Sequence, residues 1–170
     1  MRRIFLTLMA SITLCSVMAQ QSKTEKSVFG EVTYKVDGFS SKTKTNAFQA
    51  NFGWNFNRRF YALAQVESTL MLKKAETKTY FTSLNLGGGV GVHLATMKSA
   101  KLDGLIDLKL TAGSTIGNSD WKYTFYDFGI QAKFNRNVLP VLGFGYRRYR
   151  SRQDAIPNHN GIYVSLGFIF

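Results

Sequence analysis

The 170-residue chain carries 22 Lys+Arg against 10 Asp+Glu, is 45% hydrophobic and 14% aromatic, and holds one Cys and two Pro. This length and apolar content suit one folded domain and exclude a disordered tail or a two-domain enzyme. A lone Cys excludes a disulfide framework or a cysteine-built metal centre, and imidazole chemistry is confined to His93 and His159.

Residues 1–19 have the layout of a secretory signal peptide: Arg2 and Arg3, an apolar run from Ile4 to Leu14, and Val17, Met18 and Ala19 before a cut at Gln20. The run is shorter than the roughly 20 residues of a spanning helix. Leu14 precedes Cys15 where lipoprotein processing takes a small residue, so a lipid anchor is discounted. Cleavage removes the only thiol and leaves residues 20–170 with 20 basic and 10 acidic side chains, a net of +10.

Beyond Gln20 the dominant signal is period two. From Phe48 to Phe56 the even positions Phe48, Ala50, Phe52, Trp54 and Phe56 are apolar, against Gln49, Asn51, Gly53 and Asn55. Tyr80 to Leu94 repeats the split, with Phe81, Ser83, Asn85, three glycines and His93 on the second face. This template predicts eight strands, near 28–36, 46–56, 60–71, 80–94, 102–113, 121–134, 138–148 and 161–170. The joins 37–45, 72–79, 114–120 and 149–160 are longer and polar. Asn57–Arg59 and Asn135–Asn137 read as tight turns, with 95–101 longer than its companions. Residues 60–64 and 138–142 are apolar on both faces, which leaves their direction open.

Alternation alone fits a soluble barrel with an apolar interior as well as a membrane barrel with the reverse polarity. Three features favour the membrane. The polar face carries residues suited to a paired lumen network: Glu31, Lys35, Gln65, Glu67, Asp107, Lys109, Asp127, Gln131 and Lys133. Aromatics gather at strand ends, with Trp54, Phe56, Phe60, Phe134 and Phe170 by the short turns and Tyr80, Trp121, Tyr123 and Tyr146 by the longer loops, as two interfacial girdles would. Strand lengths match a tilted crossing of the hydrocarbon layer. Eight strands leave a lumen only wide enough for side chains, so Glu67, Asp107 and Asp127 are expected to be offset by Lys35, Lys109, Lys133 and Arg147.

The signal segment, the eight strands and the terminal Ile162, Val164, Leu166, Phe168, Phe170 series resemble the small outer-membrane β-barrels of Gram-negative bacteria, of the outer membrane protein A and X type. The resemblance spans residues 20–170 and implies an all-β, eight-stranded antiparallel up-and-down transmembrane β-barrel, monomeric, in the outer membrane, with a structural or interactive role. It also implies that the Ile162–Phe170 series is the signal read by the barrel assembly machinery. A narrow channel, a lipid A-modifying enzyme and a soluble ligand-binding barrel are the alternatives.

The longer joins and adjoining strand ends are basic, most densely from Tyr146 to Arg152. Lys73, Lys74, Arg148, Arg150 and Arg152 are the candidate contacts to the phosphates and acidic sugars of lipopolysaccharide, with Tyr146 and Tyr149 against lipid or sugar beside them. Nucleic acid is disfavoured, because the aromatics are committed to an apolar face and a basic surplus alone gives weak, salt-dependent contact. No catalytic residue, metal set or cofactor is assigned. In the deacylases that such barrels resemble in size, the nucleophilic serine follows the histidine by two positions, and here that place after His159 is Gly161. Ser151 and Asp154 share its loop without a fixed relation, and His159 reads as an ordinary loop histidine. His93 reads as a hydrogen-bonded lumen residue, and the run Gly87, Gly88, Gly89 and Gly91 as room for a small barrel to curve.

Overall fold

The computed structural model describes residues 28–37, 43–73, 80–97, 103–134, 139–153 and 156–170. The segment 1–19, the Asn135–Asn137 turn, and Lys42, Lys74, Glu76, Lys78 and Asp154 lie outside the described residues. Eight strands are formed: β1 (Val28–Asp37), β2 (Thr43–Asn55), β3 (Phe60–Lys73), β4 (Tyr80–Met97), β5 (Gly104–Ile116), β6 (Tyr123–Phe134), β7 (Leu139–Ser151) and β8 (His159–Ile169). Each pairs antiparallel with its sequence neighbour, and β1 pairs with β8, so the sheet closes.

All eight strands fall where the alternation places them. Several run further than expected at the end where the longer loops join them: β2 begins at Thr43, β5 continues to Ile116 and β7 to Ser151. The polar composition of these stretches reads as loop, but the ladder holds there, through Thr43↔Lys73 and Tyr123↔Ser151, because a strand above the hydrocarbon layer can be wet on its outer face. The connecting segments are correspondingly shorter than expected, and 98–103 matches 74–79 in length. At the opposite end the Asn57 side chain accepts from the backbone N–H groups of Arg59 (2.8 Å) and Phe60 (2.9 Å), closing the tight turn by an Asx mechanism. The β4–β5 ladder shifts register between His93 and Ala95, a bulge.

Polarity is that of a membrane barrel. Leu86, Val90, Leu110, Phe128, Ile130, Leu142, Phe144 and Leu166 face outward and are exposed, while Glu31, Glu67, Asp107, Lys109, Asp127 and Arg147 are buried inside. A soluble ligand-binding barrel needs the inverse arrangement. The two ambiguous stretches resolve with Tyr61, Leu63 and Val141 inward and Phe60 and Leu142 outward. Trp54, Phe56 and Phe60 are exposed near the tight turns, as are Tyr80 and Tyr146 at the other end. Trp121 and Tyr123 correct the girdle: both are 0% exposed and point into the lumen. Tyr123 shares the parity of Asp127, which decides its face regardless of its height on the strand.

Inward glycines make room for large rings. A Cβ on Gly91 would collide with the Tyr61 ring, and one on Gly145 with the Tyr163 ring and the Phe128 carbonyl. Only glycine admits a ring across so narrow a lumen at these levels.

Candidate functional site: the lumen and the basic rim

Three layers fill the lumen. Toward the tight turns lie Phe29, Tyr61, Leu63, Val141 and Ile169, joined by Leu139. Phe29 meets Tyr61 edge-on at 5.4 Å. Toward the longer loops Met71, Trp121, Tyr123, Phe125, Tyr149 and Ile156 form a second apolar layer, with Phe81 against it. Between the two sits a network of charges.

Arg147 on β7 is its hub. Nη1 and Nη2 donate to Glu67 Oε1 (2.7 Å) and Oε2 (2.8 Å), a bidentate fork, while Nε and Nη2 donate to Asp127 Oδ2 at 3.1 and 2.7 Å. Asp127 also takes Lys35 Nζ at 2.5 Å and the Tyr163 hydroxyl at 2.6 Å. Glu67 accepts further from the Thr69 hydroxyl (3.0 Å) and Gln65 (3.3 Å). A second group surrounds Glu31 Oε1, which accepts from Lys109 Nζ (2.6 Å), Asn51 (2.7 Å) and Gln131 (3.3 Å). A third joins Asp107 to Lys133, 2.5 Å away, and to His93 Nδ1, 2.6 Å away. The Lys133 ammonium lies over the Tyr61 ring at 4.7 Å, tying this group to the lower apolar layer. In the upper layer the Tyr149 hydroxyl donates to Asp37 Oδ2 at 2.5 Å.

The expected cations thus meet the expected acids, and His93 is the lumen residue its parity implies. Two carboxylates joined them that sequence reasoning left out of the balance: Glu31, placed on the inner face without a partner, and Asp37, placed in a loop. Each buried charge removed from water is costly, and these groups are tolerable because each is paired or hydrogen-bonded.

The rim is different. Arg148 and Arg150 are exposed on the outer face of β7, and among the described residues neither has a carboxylate partner. Arg152, just past β7, is exposed, and its Nη2 donates to the Thr115 carbonyl at 3.0 Å. Arg152 therefore clamps the β7–β8 segment to the end of β5. Lys73 is the last residue of β3, and Lys74 lies outside the described residues. Tyr146 faces outward, but Tyr149 is turned into the lumen, which removes it from the expected lipid contact. Parity again gives the reason, since Tyr149 follows Arg147 by two positions.

His159 is not the ordinary loop residue expected. It opens β8 and stacks on Tyr149 at 4.3 Å and Trp121 at 5.3 Å. Its Nε2 has no hydrogen-bond partner among the described residues, and Ser151 is engaged with the Gln153 carbonyl. Among the described residues, no three His, Cys, Asp or Glu side chains gather as a metal set.

The C-terminal series is a continuous outer stripe. Ile162, Val164, Leu166 and Phe168 are exposed on β8, and Phe170 beyond it exchanges backbone hydrogen bonds with Gly30 (2.9 and 3.3 Å).

Closure, an ion-paired lumen and an apolar outer wall define the class: an all-β, eight-stranded antiparallel transmembrane β-barrel. This architecture fits the outer membrane protein A and X type that the sequence resembles. No family model and no curated protein matches the chain. Among solved structures it is similar to the outer membrane protein Ail of Yersinia pestis in a phospholipid bilayer nanodisc, with 15% identity, a TM-score of 0.45, and coverage of 84% of this chain and 98% of that one. It is similar also to Neisserial surface protein A, with 16% identity, a TM-score of 0.47, and coverage of 84% and 94%. The outer membrane enzyme PagL follows with 11% identity, a TM-score of 0.43, and coverage of 82% and 98%.

Proposed function

We propose that the chain is an integral outer-membrane barrel, exported by the 1–19 segment as a monomer, that stabilises the envelope and presents a basic rim to lipopolysaccharide. The observation that carries this reading is the contrast between two sets of cations. Lys35, Lys109, Lys133 and Arg147 inside the lumen each meet a carboxylate, whereas Arg148 and Arg150 on the outer face have none among the described residues. A guanidinium at a lipid interface matches phosphate in charge and fork geometry. Lys73, Lys74 and Arg152 belong to the same rim in sequence and complete the candidate contact set. The Ile162–Phe170 stripe serves as the signal for the assembly machinery, and Phe170→Ala should lower outer-membrane yield in cells while leaving refolding in detergent intact.

The decisive experiment begins with membrane fractionation and a denaturing gel run with and without boiling. An outer-membrane location with a heat-dependent mobility shift is expected, and a soluble, unshifted protein would refute the placement. Lipopolysaccharide binding by the Arg148→Ala, Arg150→Ala, Arg152→Ala triple variant should then fall and lose its salt sensitivity. Unchanged binding would end the rim assignment.

A further inference from the structure

Outside the lumen, between β4 and β7, the wall carries a groove of about 880 Å³. Its origin is legible in the register. Gly88 pairs with Ala112, Ala112 with Tyr126 and Tyr126 with Arg148, so these four form one row running across the strands on the outer face. The row toward the tight turns is Val90, Leu110, Phe128 and Tyr146, and all four are large and exposed. The row on the other side is Leu86, Ser114, Thr124 and Arg150, polar in its middle. Gly88 lies between Leu86 and Val90, and Ala112 between Ser114 and Leu110, so the floor is low at this end, while the exposed Tyr126 ring stands beside it on the way to Arg148.

The row is also a ramp. Gly88 lies midway along β4, whereas Arg148 is three residues from the loop end of β7. The groove therefore climbs from the middle of the apolar belt to the rim over three strand spacings, roughly 14 Å. Val90, Leu110, Ala112 and Phe128 line its lower part, and Arg148 and Arg150 line its upper end. Two residues apart on one face, their Cα atoms are separated by about 7 Å, which suits a headgroup with several anionic oxygens.

We infer that this groove seats one acyl chain of a phosphorylated glycolipid of the lipid A type, its tail on Gly88 and Ala112 beside Val90, Leu110 and Phe128 and its phosphate on Arg148 and Arg150. The inference rests on the proposed outer-membrane placement and deepens the rim assignment from a diffuse basic surface to a two-part site. Charge complementarity selects an anionic amphiphile, because the wall offers guanidinium groups at the upper end and carbon below. The side of the barrel that bears the longer loops selects the outer leaflet and therefore lipid A over a glycerophospholipid.

The test uses the full chain folded in micelles containing lipid A, phosphatidylglycerol and phosphatidylcholine, with retained lipid read by native mass spectrometry. Ala112→Phe fills the groove and leaves every charge in place. It should lower lipid A retention at least fivefold while binding of deacylated, phosphorylated lipopolysaccharide core is unchanged. Arg148→Ala with Arg150→Ala should lower both. The heat-dependent gel shift verifies folding, and Val90→Trp, also on the exposed wall, replaces Ala112→Phe should that variant not fold. Wild-type lipid A retention by the groove-filling variant overturns the acyl site and leaves the rim assignment standing. Wild-type retention of both probes by the arginine variant overturns both. Equal retention of phosphatidylglycerol overturns the choice of ligand.

Discussion

Arg147→Ala is the substitution that most directly probes the lumen. The guanidinium is 1% exposed and makes four hydrogen bonds to two carboxylates. After its removal Asp127 retains Lys35 and Tyr163, but Glu67 keeps only neutral donors. Stranding a buried charge of this kind costs about 3–5 kcal/mol. The contact of the guanidinium with the Phe125 ring, 4.5 Å away, is lost as well, worth about 0.5–2 kcal/mol. A total of about 3.5–7 kcal/mol, divided by a urea dependence of about 1–3 kcal/mol/M, moves the unfolding midpoint down by at least about 1 M. Fluorescence of Trp121, which lies within the lumen, reports the transition in detergent. The double variant Glu67→Gln, Arg147→Met removes both charges and leaves the Lys35–Asp127 pair, so it should recover most of the loss. The reasoning fails if Arg147→Ala unfolds at the wild-type midpoint, or if the double variant is less stable than the single one.

Tyr149→Phe deprives Asp37 of a buried donor and should cost about 1–3 kcal/mol, read from the same urea titration; an unchanged midpoint would remove that contact from the stabilising set. Gly145→Val drives a side chain into the Tyr163 ring and the Phe128 carbonyl, and the heat-dependent gel shift should disappear, whereas Gly30→Ala, with open space around its Cβ position, should keep it. In planar bilayers the purified barrel should give no large, stable conductance steps, because side chains at three levels occupy its lumen; steady wide openings would contradict that packing.

Strand number, order and facing were legible because the side-chain period of two is strict wherever one face meets lipid and the other a narrow interior. The cations Lys35, Lys109, Lys133 and Arg147 could be assigned inward from parity alone, but their partners could not. Lys35 meets Asp127 and Arg147 meets Glu67 across the lumen, at separations of 92 and 80 residues, which depend on strand tilt and stagger. Trp121 and Tyr123, expected in the girdle, and Tyr149, expected against lipid, point inward for a different reason. Aromatic character near a strand end marks an interfacial girdle only when the side chain is on the outer parity, and Trp121 belongs to a loop that folds inward over the lumen. The outer groove was invisible to a reading along single strands, because Gly88, Ala112 and Arg148 become neighbours only through three successive ladders.

The seam between β1 and β8 is short, with seven register pairs from Glu31↔Ile169 to Asp37↔Tyr163, against thirteen between β3 and β4. It is the line along which the cylinder would unzip. Yet Glu31, Lys35 and Asp37, all on β1, reach over the lumen to Lys109 on β5, Asp127 on β6 and Tyr149 on β7. These contacts act as staples fastening the first strand to the far wall rather than to its neighbour. In the closed cylinder these contacts add to the short β1–β8 ladder, so the ion-paired interior works as its latch.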